Sequence, residues 1–309
     1  MLVIGSRGSQ LALWQANYIQ QRLAARGFET RIEVIKTTGD KITDVPLAQV
    51  GAQVGTKGLF TKEIEEALLD GSIDLAVHSL KDLPTELPRG LTLAATPPRQ
   101  DPLDAMVGGR IAELEPGAKV GTSSLRRAAQ VRMHRPDLTI ESIRGNLDTR
   151  LRKLDEKQYD AIVLAAAGLK RMGWEDRIAE KLPANIMCPA VGQGALAIET
   201  RETGAGLDAC APLDDPWTRF AVTAERAVLA ALGGGCQVPI GAYATVHDAK
   251  LILTGAVIAP DGTKLVRQTV EGDLWRPAQL GRDLGLSLLE RGAREILERF
   301  DLLPRDAAV

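Results

Sequence analysis

Thr61-Lys62-Glu63-Ile64-Glu65-Glu66-Ala67-Leu68-Leu69-Asp70-Gly71-Ser72-Ile73-Asp74-Leu75-Ala76-Val77-His78-Ser79 changes its pattern part-way along. Its first half reads as a helix from Thr61 to Leu69, capped by Thr61 and stopped by Gly71. Its second half, Asp74 to Ser79, is a short apolar run of the kind buried inside a sheet. A helix that feeds a buried strand is half of a βαβ unit, and the flanking sequence supplies the rest. Leu2 to Gly5 reads as a strand, Leu11 to Ala25 as a helix stopped by Gly27, and Thr30 to Lys36 and Leu91 to Thr96 as further strands.

Pro97-Pro98 marks a boundary, and a second βα series begins near Asp104. Val120-Gly121 leads into Thr122-Ser123-Ser124, whose hydroxyls suit a helix N-terminus, and Leu125 to His134 continues as that helix. Thr139 to Ile143 and Tyr159 to Ala165 read as strands, with a helix from Asn146 to Glu156 between them. The second run is continuously apolar, which predicts a parallel sheet covered on both faces. Pro183 to Gly194 is rich in Pro and Gly and reads as a return crossing. The last third predicts a helix from Pro216 to Leu232, a hairpin from Leu251 to Val270 around Pro260-Asp261-Gly262, and a closing helix near Leu286 to Phe300. Thr38 to Lys57 is Gly-rich and long for a loop within a compact domain, which suggests a lid over a site.

The chain has 309 residues, 45% of them hydrophobic, enough for two or three domains with buried cores. Met1 to Arg7 enters a strand without a basic segment or apolar h-region, so no export is expected. No run approaches the roughly 18 apolar residues of a membrane span. Three cysteines, an odd number, fit a reducing cytoplasm better than a disulfide framework, with Cys188 and Cys210 read as packing residues. A net charge of -2 and 4% aromatic residues argue against nucleic acid as a partner. Positive charge is nevertheless uneven: Arg110 to Arg177 carries fourteen Lys and Arg against ten Asp and Glu, which favours anionic small molecules.

Several familiar motifs fail on spacing. Gly51 to Lys57 lacks the interval of a phosphate loop, and Gly192-Gln193-Gly194 lacks the third glycine of a dinucleotide fingerprint. His78, His134 and His247 are isolated, so no metal site is expected. Cys236, in Gly233-Gly234-Gly235-Cys236-Gln237-Val238-Pro239, is different. Three glycines strip side chains from one flank and Pro239 fixes the backbone beyond the other, which leaves an accessible thiol on a tight turn. From these residues alone, a packed turn cysteine is as good a reading as a nucleophile.

Basic and hydroxyl side chains collect where strands end and helices begin, the place where α/β sheets bind ligands. Arg7 and Ser9 follow the first strand; Ser79, Lys81 and Asp82 follow the strand in the opening stretch; Thr122, Ser124, Arg126 and Arg127 open a helix; Arg144 ends another strand. Helix N-termini and Arg forks both suit carboxylates, so a substrate with several carboxylates would explain the pattern. Asp82 is the one acid in this set. It is either a turn residue before Pro84 or an ionised carboxylate able to stabilise a developing cation or relay a proton.

With these stretches in place the chain resembles the porphobilinogen deaminase family over essentially its whole length. The resemblance rests on Ser6 to Gln15, Lys57 to Glu63, Ala76 to Pro84, Gly121 to Arg127, Arg144-Gly145-Asn146, Pro189 to Gly194 and the Cys236 segment. It implies an α/β fold with two periplasmic-binding-protein-like (type II) βα lobes and a third, smaller α+β domain. The first lobe would span 1–96 plus 194–214, the second 97–193, and the third domain 215–309. It also implies a transferase of tetrapyrrole and heme biosynthesis that joins four porphobilinogen molecules with loss of ammonia and releases hydroxymethylbilane by hydrolysis. The primer would be a dipyrromethane cofactor bound covalently to Cys236. Asp82 matches the catalytic acid. Lys81, Ser79, Thr122, Ser124, Arg126, Arg127 and Arg144 match cofactor-binding positions, and Arg7, Ser9, Lys57, Phe60, Arg150 and Arg171 match substrate-binding ones. The loop before Lys57 is longer than the family pattern, and Gly233 stands where an acidic residue is common. A solute-binding protein or a cysteine hydrolase would each use part of this set, but neither explains all of it. The expected state is a cytoplasmic monomer.

Overall fold

A computed structural model describes residues 1–41, 60–233, 238–300 and 302. Contacts divide the chain into two compact units, Met1–Gln100 with Ala195–Arg219, and Asp101–Gly194 with Phe220–Val309.

The first unit is built on a five-stranded sheet. In chain order its elements are β1 (Leu2–Ser6), α1 (Gln10–Ala24), β2 (Thr30–Val34), the short α2 (Thr38–Lys41), α3 (Lys62–Leu69), β3 (Leu75–Ser79) and β4 (Leu91–Ala95). The sheet order is β2-β1-β3-β10-β4, where β10 (Leu196–Arg201) arrives from the far end of the chain. β1 runs parallel to β2 and β3, while β10 is antiparallel to both its neighbours. α1 buries Ala16, Ile19 and Leu23 on one face of the sheet against Ile4, Leu75, Val77 and Ile198. α3 buries Ile64 and Leu68 on Ile73, Ala76 and Leu91. α7 (Ala205–Cys210) closes this unit so tightly that a Cβ on Gly206 would stand 2.2 Å from the Asp74 carbonyl.

The second unit repeats that plan. β5 (Asp104–Val107), β6 (Lys119–Gly121), α4 (Leu125–His134), β7 (Thr139–Glu141), α5 (Leu147–Asp155), β8 (Ala161–Ala165), α6 (Ala166–Arg171) and β9 (Ile178–Leu182) form a sheet of order β7-β6-β8-β5-β9. Here β6 is parallel to β7 and β8, and β5 is the inserted antiparallel strand. The sheet is therefore mixed, not all parallel as the apolar run at Tyr159 to Ala165 predicts. Burial on both faces made that run apolar, and β8 takes one parallel and one antiparallel neighbour all the same.

A separate antiparallel sheet of β11 (Ile240–His247), β12 (Lys250–Ile258) and β13 (Leu265–Asp273) completes the fold. It shares a core with α8 (Pro216–Ala231), α9 (Pro277–Leu288) and α10 (Arg294–Arg299). The closing helical segment thus begins earlier than its periodicity predicts, and Gly292, at φ 104°, breaks it between α9 and α10. The result is an α/β fold with two lobes of one topology and a smaller α+β domain. No helix among the described residues is long and apolar enough to cross a membrane.

Candidate active site

In the first unit every predicted site residue that is described stands at or just beyond the end of a strand or at a helix start. β1 hands over to Arg7, whose guanidinium lies 4.3 Å from the Phe60 ring centroid in a cation–π contact. Ser9 caps α1, its hydroxyl accepting the Ala12 N–H at 3.3 Å. The parallel neighbour β3 ends at Ser79 and runs into a single turn, Leu80–Asp82. Buried Gln15 on α1 donates to the Ser79 hydroxyl at 2.9 Å and ties the two strand ends together. Leu80 N–H donates to the Ala195 carbonyl just before β10. Asp82 is exposed, and among the described residues none takes its carboxylate in a hydrogen bond or ion pair. Lys57 lies outside the described residues.

In the second unit the predicted residues follow β6, β7 and β8, on the connections and within the helices α4, α5 and α6. After β6, the Thr122 hydroxyl accepts the Ser124 N–H and the Ser124 hydroxyl accepts the Arg127 N–H, so the predicted hydroxyl cap of α4 is present. The matching expectation for Thr61 fails: it occupies the cap position of α3 but its hydroxyl makes no capping bond, because its backbone (φ -124°, ψ -28°) departs from the extended cap conformation. After β7, Arg144 precedes Gly145, whose φ of 111° turns the chain into α5, and Arg150 Nε donates to the Gly145 carbonyl. Buried Arg171, at the end of α6, donates to the Gly194 carbonyl at 2.7 Å.

Arg126 and Arg127 share one buried acid. Arg126 Nη1 donates to Asp104 Oδ2 at 2.7 Å and to the Cys188 carbonyl at 2.6 Å. Arg127 meets Asp104 Oδ1 through Nε at 2.8 Å and through Nη2 at 2.7 Å, and its Nη1 donates to the Val163 carbonyl. Gln193 Nε2 adds a donor from a third residue to Asp104, at 3.0 Å. Burial pushes the Asp104 carboxyl up, but the two guanidinium charges and these hydrogen bonds outweigh it and hold the group at about 2. Asp104 therefore stays ionised. Arg127 has every side-chain nitrogen committed to protein. Arg126 has only Nη1 committed among the described residues, which leaves Nε and Nη2 of a side chain only 4% exposed for an anionic partner.

Sequence reasoning missed Asp104, Gln15 and Gln193 as site residues. Gln193 had a signal, since Gly192 and Gly194 on either side both adopt positive φ and hold it in a special turn. Cys188 and Cys210 are fully buried, and burial raises their thiols to about 11 and about 12, so both are the packing residues predicted. Cys236 lies outside the described residues.

Residues 2–208 match a family model described as porphobilinogen deaminase, dipyromethane cofactor binding domain, and residues 219–290 match the porphobilinogen deaminase C-terminal domain. The chain belongs to the porphobilinogen deaminase family. It is 52% identical to the porphobilinogen deaminase of Syntrophotalea carbinolica, over 98% of this chain and 97% of that one. It is 52% identical to that of Syntrophobacter fumaroxidans, over 96% and 97%, and 51% identical to that of Geobacter sulfurreducens, over 96% and 93%. Among solved structures, it is similar to a periplasmic substrate-binding protein of an ABC transporter from Coxiella burnetii, at 13% identity and a TM-score of 0.43 over 69% of this chain and 91% of that one. It is similar also to a TRAP periplasmic solute binding protein from Desulfovibrio salexigens, at 10% identity and a TM-score of 0.40 over 69% and 72%. As a porphobilinogen deaminase the protein is an enzyme of tetrapyrrole synthesis that polymerises porphobilinogen to hydroxymethylbilane and uses a dipyrromethane cofactor. The residues of the second unit fit such a group: a dipyrromethane carries several carboxylates, and Arg126 keeps uncommitted donors for one.

Proposed function

We propose that Asp82 is the catalytic carboxylate of this reaction. Arg7, Ser9, Lys57, Phe60, Arg150 and Arg171 would bind the acetate and propionate groups of incoming porphobilinogen. Lys81, Ser79, Thr122, Ser124, Arg126 and Arg144 would hold the cofactor, with Arg127 bracing Arg126 through Asp104. Bound through Cys236, dipyrromethane supplies the pyrrole end to which the first unit is joined. The observation that carries the reading is the placing of Asp82: an exposed carboxylate free of protein partners among the described residues, on a turn shared with Ser79 and Lys81 at the end of β3.

The chemistry asks for such a group. When the C–N bond of porphobilinogen breaks, ammonia leaves with the electron pair and the pyrrole becomes a cation conjugated with its ring N–H. The Asp82 carboxylate accepts that N–H and stabilises the charge. A pyrrole α-carbon then forms the new C–C bond and loses its proton, which Asp82 can take up and pass on. We also read the chain as a cytoplasmic monomer divided at 1–96 with 194–214, 97–193 and 215–309, a reading supported by its few cysteines and its three separate sheets. Asp82→Asn tests the central claim. The variant keeps its circular dichroism and an intact mass with the covalent adduct that Cys236→Ala lacks, and its turnover falls by about a hundredfold or more. Turnover close to that of the parent removes Asp82 from the mechanism.

A further inference from the structure

The face of the first sheet that α3 covers carries ionisable side chains where a core is ordinarily apolar. Ala197 pairs with His78 and Glu199 with Ala76, so His78 on β3 and Glu199 on β10 stand diagonally on one face. His78 Nε2 lies 2.9 Å from Glu199 Oε2, with the side chains 5% and 0% exposed. The separation is that of an ion pair, yet the alignment is not that of a hydrogen bond, and Glu199 Oε1 has no partner either. Glu65 on α3 is buried in the same electrostatic neighbourhood. Burial pushes its carboxyl up and Glu199 adds to this, while the Thr61 hydroxyl and the His78 ring oppose it.

Apolar side chains of similar size would fill this place without the desolvation of charged groups, so stability does not account for it. Its location does suggest a task. His78 is followed by Ser79 and the turn that ends in Asp82, and that turn is anchored on Ala195, four residues before Glu199. One stretch of chain, Ala195 and the strand β10 that follows it, therefore supports the turn and holds the partner of His78. Among the described residues the other charged groups on the elements packed here are Lys62, paired with Glu66, Glu63, which accepts the Thr38 N–H, Glu66, which adds repulsion on Glu65, and Arg201, which is committed to the Leu68 and Ile73 carbonyls and to Asp74. β1 and β4 contribute no charged side chain.

We propose that His78 and Glu199 are positioning residues for Asp82: their buried contact fixes the end of β3 against β10 and so fixes the carboxylate on the turn. The proposal rests on Asp82 as the catalytic carboxylate, and its test keeps the two apart. The holoenzyme of the double variant His78→Leu/Glu199→Met is compared with the parent and with Asp82→Asn. The double variant melts no lower than the parent, retains its covalent adduct by intact mass and keeps its KM within about twofold, while kcat falls by about tenfold to a hundredfold. A folded double variant with parental kcat overturns the positioning role and leaves Asp82 in place, whereas an active Asp82→Asn overturns the catalytic reading itself. If the double variant does not fold, the single variants His78→Gln and Glu199→Gln, each close in size to the side chain it replaces, decide the matter by the same split of kcat from KM. The proposal requires kcat to fall in both with KM within about twofold, and parental kcat in both sinks it.

Discussion

Asp104 is fully buried beside two guanidinium groups, and its charge is what makes the pair Arg126 and Arg127 tolerable in a core. Its carboxyl is held at about 2 in the folded chain, against an ordinary value near 3.8. A carboxyl depressed on folding contributes stability that is fully present above its unfolded pKa and is lost as pH falls toward the folded one, so here the window runs from about 4 down to about 2. The depression corresponds to about 2 kcal/mol at neutral pH. Asp104→Asn keeps the volume but leaves two buried cations unneutralised, and we expect it to lower stability at pH 7 by about 3 kcal/mol or more. The gap between parent and variant narrows as pH falls through that window. Urea midpoints at pH 7 and pH 3 measure both quantities, and an equal gap at the two values excludes Asp104 as the group responsible. Loss of cofactor from the variant, read by intact mass, would accompany the misplacing of Arg126.

At the level of elements, α4 joins a local signal to a distant one. Thr122-Ser123-Ser124 announces its N-terminus in the sequence, and the cap forms there, with Ser124 Oγ 3.5 Å from Arg127 N. A bond of that length sits at the weak end of caps, so Ser124→Ala costs about 0.5–1 kcal/mol, measured by urea unfolding of the holoenzyme. A loss above about 2 kcal/mol would show that the hydroxyl does more than cap. Such local devices made the βα units legible, because hydrophobic period and stop residues lie within a few positions of each other. β5, β9, β10 and β11 were not legible. β10 carries buried Glu199 and Thr200 within its run, and β11 begins Ile240-Gly241-Ala242, so neither shows the β-branched pattern of a strand. Both inserted antiparallel strands, β5 and β10, depend on where the chain crosses, which no local window contains. The site was legible to the same degree. Strand-end arginines and hydroxyls stand out by type and place, whereas Asp104 meets Arg126 and Arg127 across more than twenty residues and Glu199 meets His78 across more than a hundred.

Taken whole, the protein is close to electroneutral, with 38 basic and 40 acidic residues, yet it handles substrates that are anionic at every ring. Neutrality overall and affinity for polyanions are compatible only if charge is sorted by place. Many of the described acids are held in ion pairs apart from the predicted site residues, as in Lys250 with Glu271, Lys264 with Glu295 and Arg135 with Asp137. The strand ends and the helices that follow them carry Arg7, Lys81, Arg126, Arg144, Arg150 and Arg171, and Asp82 is the one acid among the predicted site residues. A field produced by exposed and half-buried cations is screened over about 10 Å at about 0.1 M salt, and more closely as salt rises. Capture of porphobilinogen should then weaken with ionic strength, whereas the bond-making steps, governed by one nearby carboxylate, should not. We expect KM for porphobilinogen to rise by about threefold or more between roughly 0.05 M and 0.5 M sodium chloride, with kcat changed less than about twofold. Arg7→Gln should flatten that dependence, since it removes one of the cations that produce it. Initial-rate measurements on the holoenzyme across the salt series decide the point: a KM indifferent to salt would mean that the carboxylates are read through desolvated, short-range contacts such as the open edge of Arg126, with no contribution from the summed field.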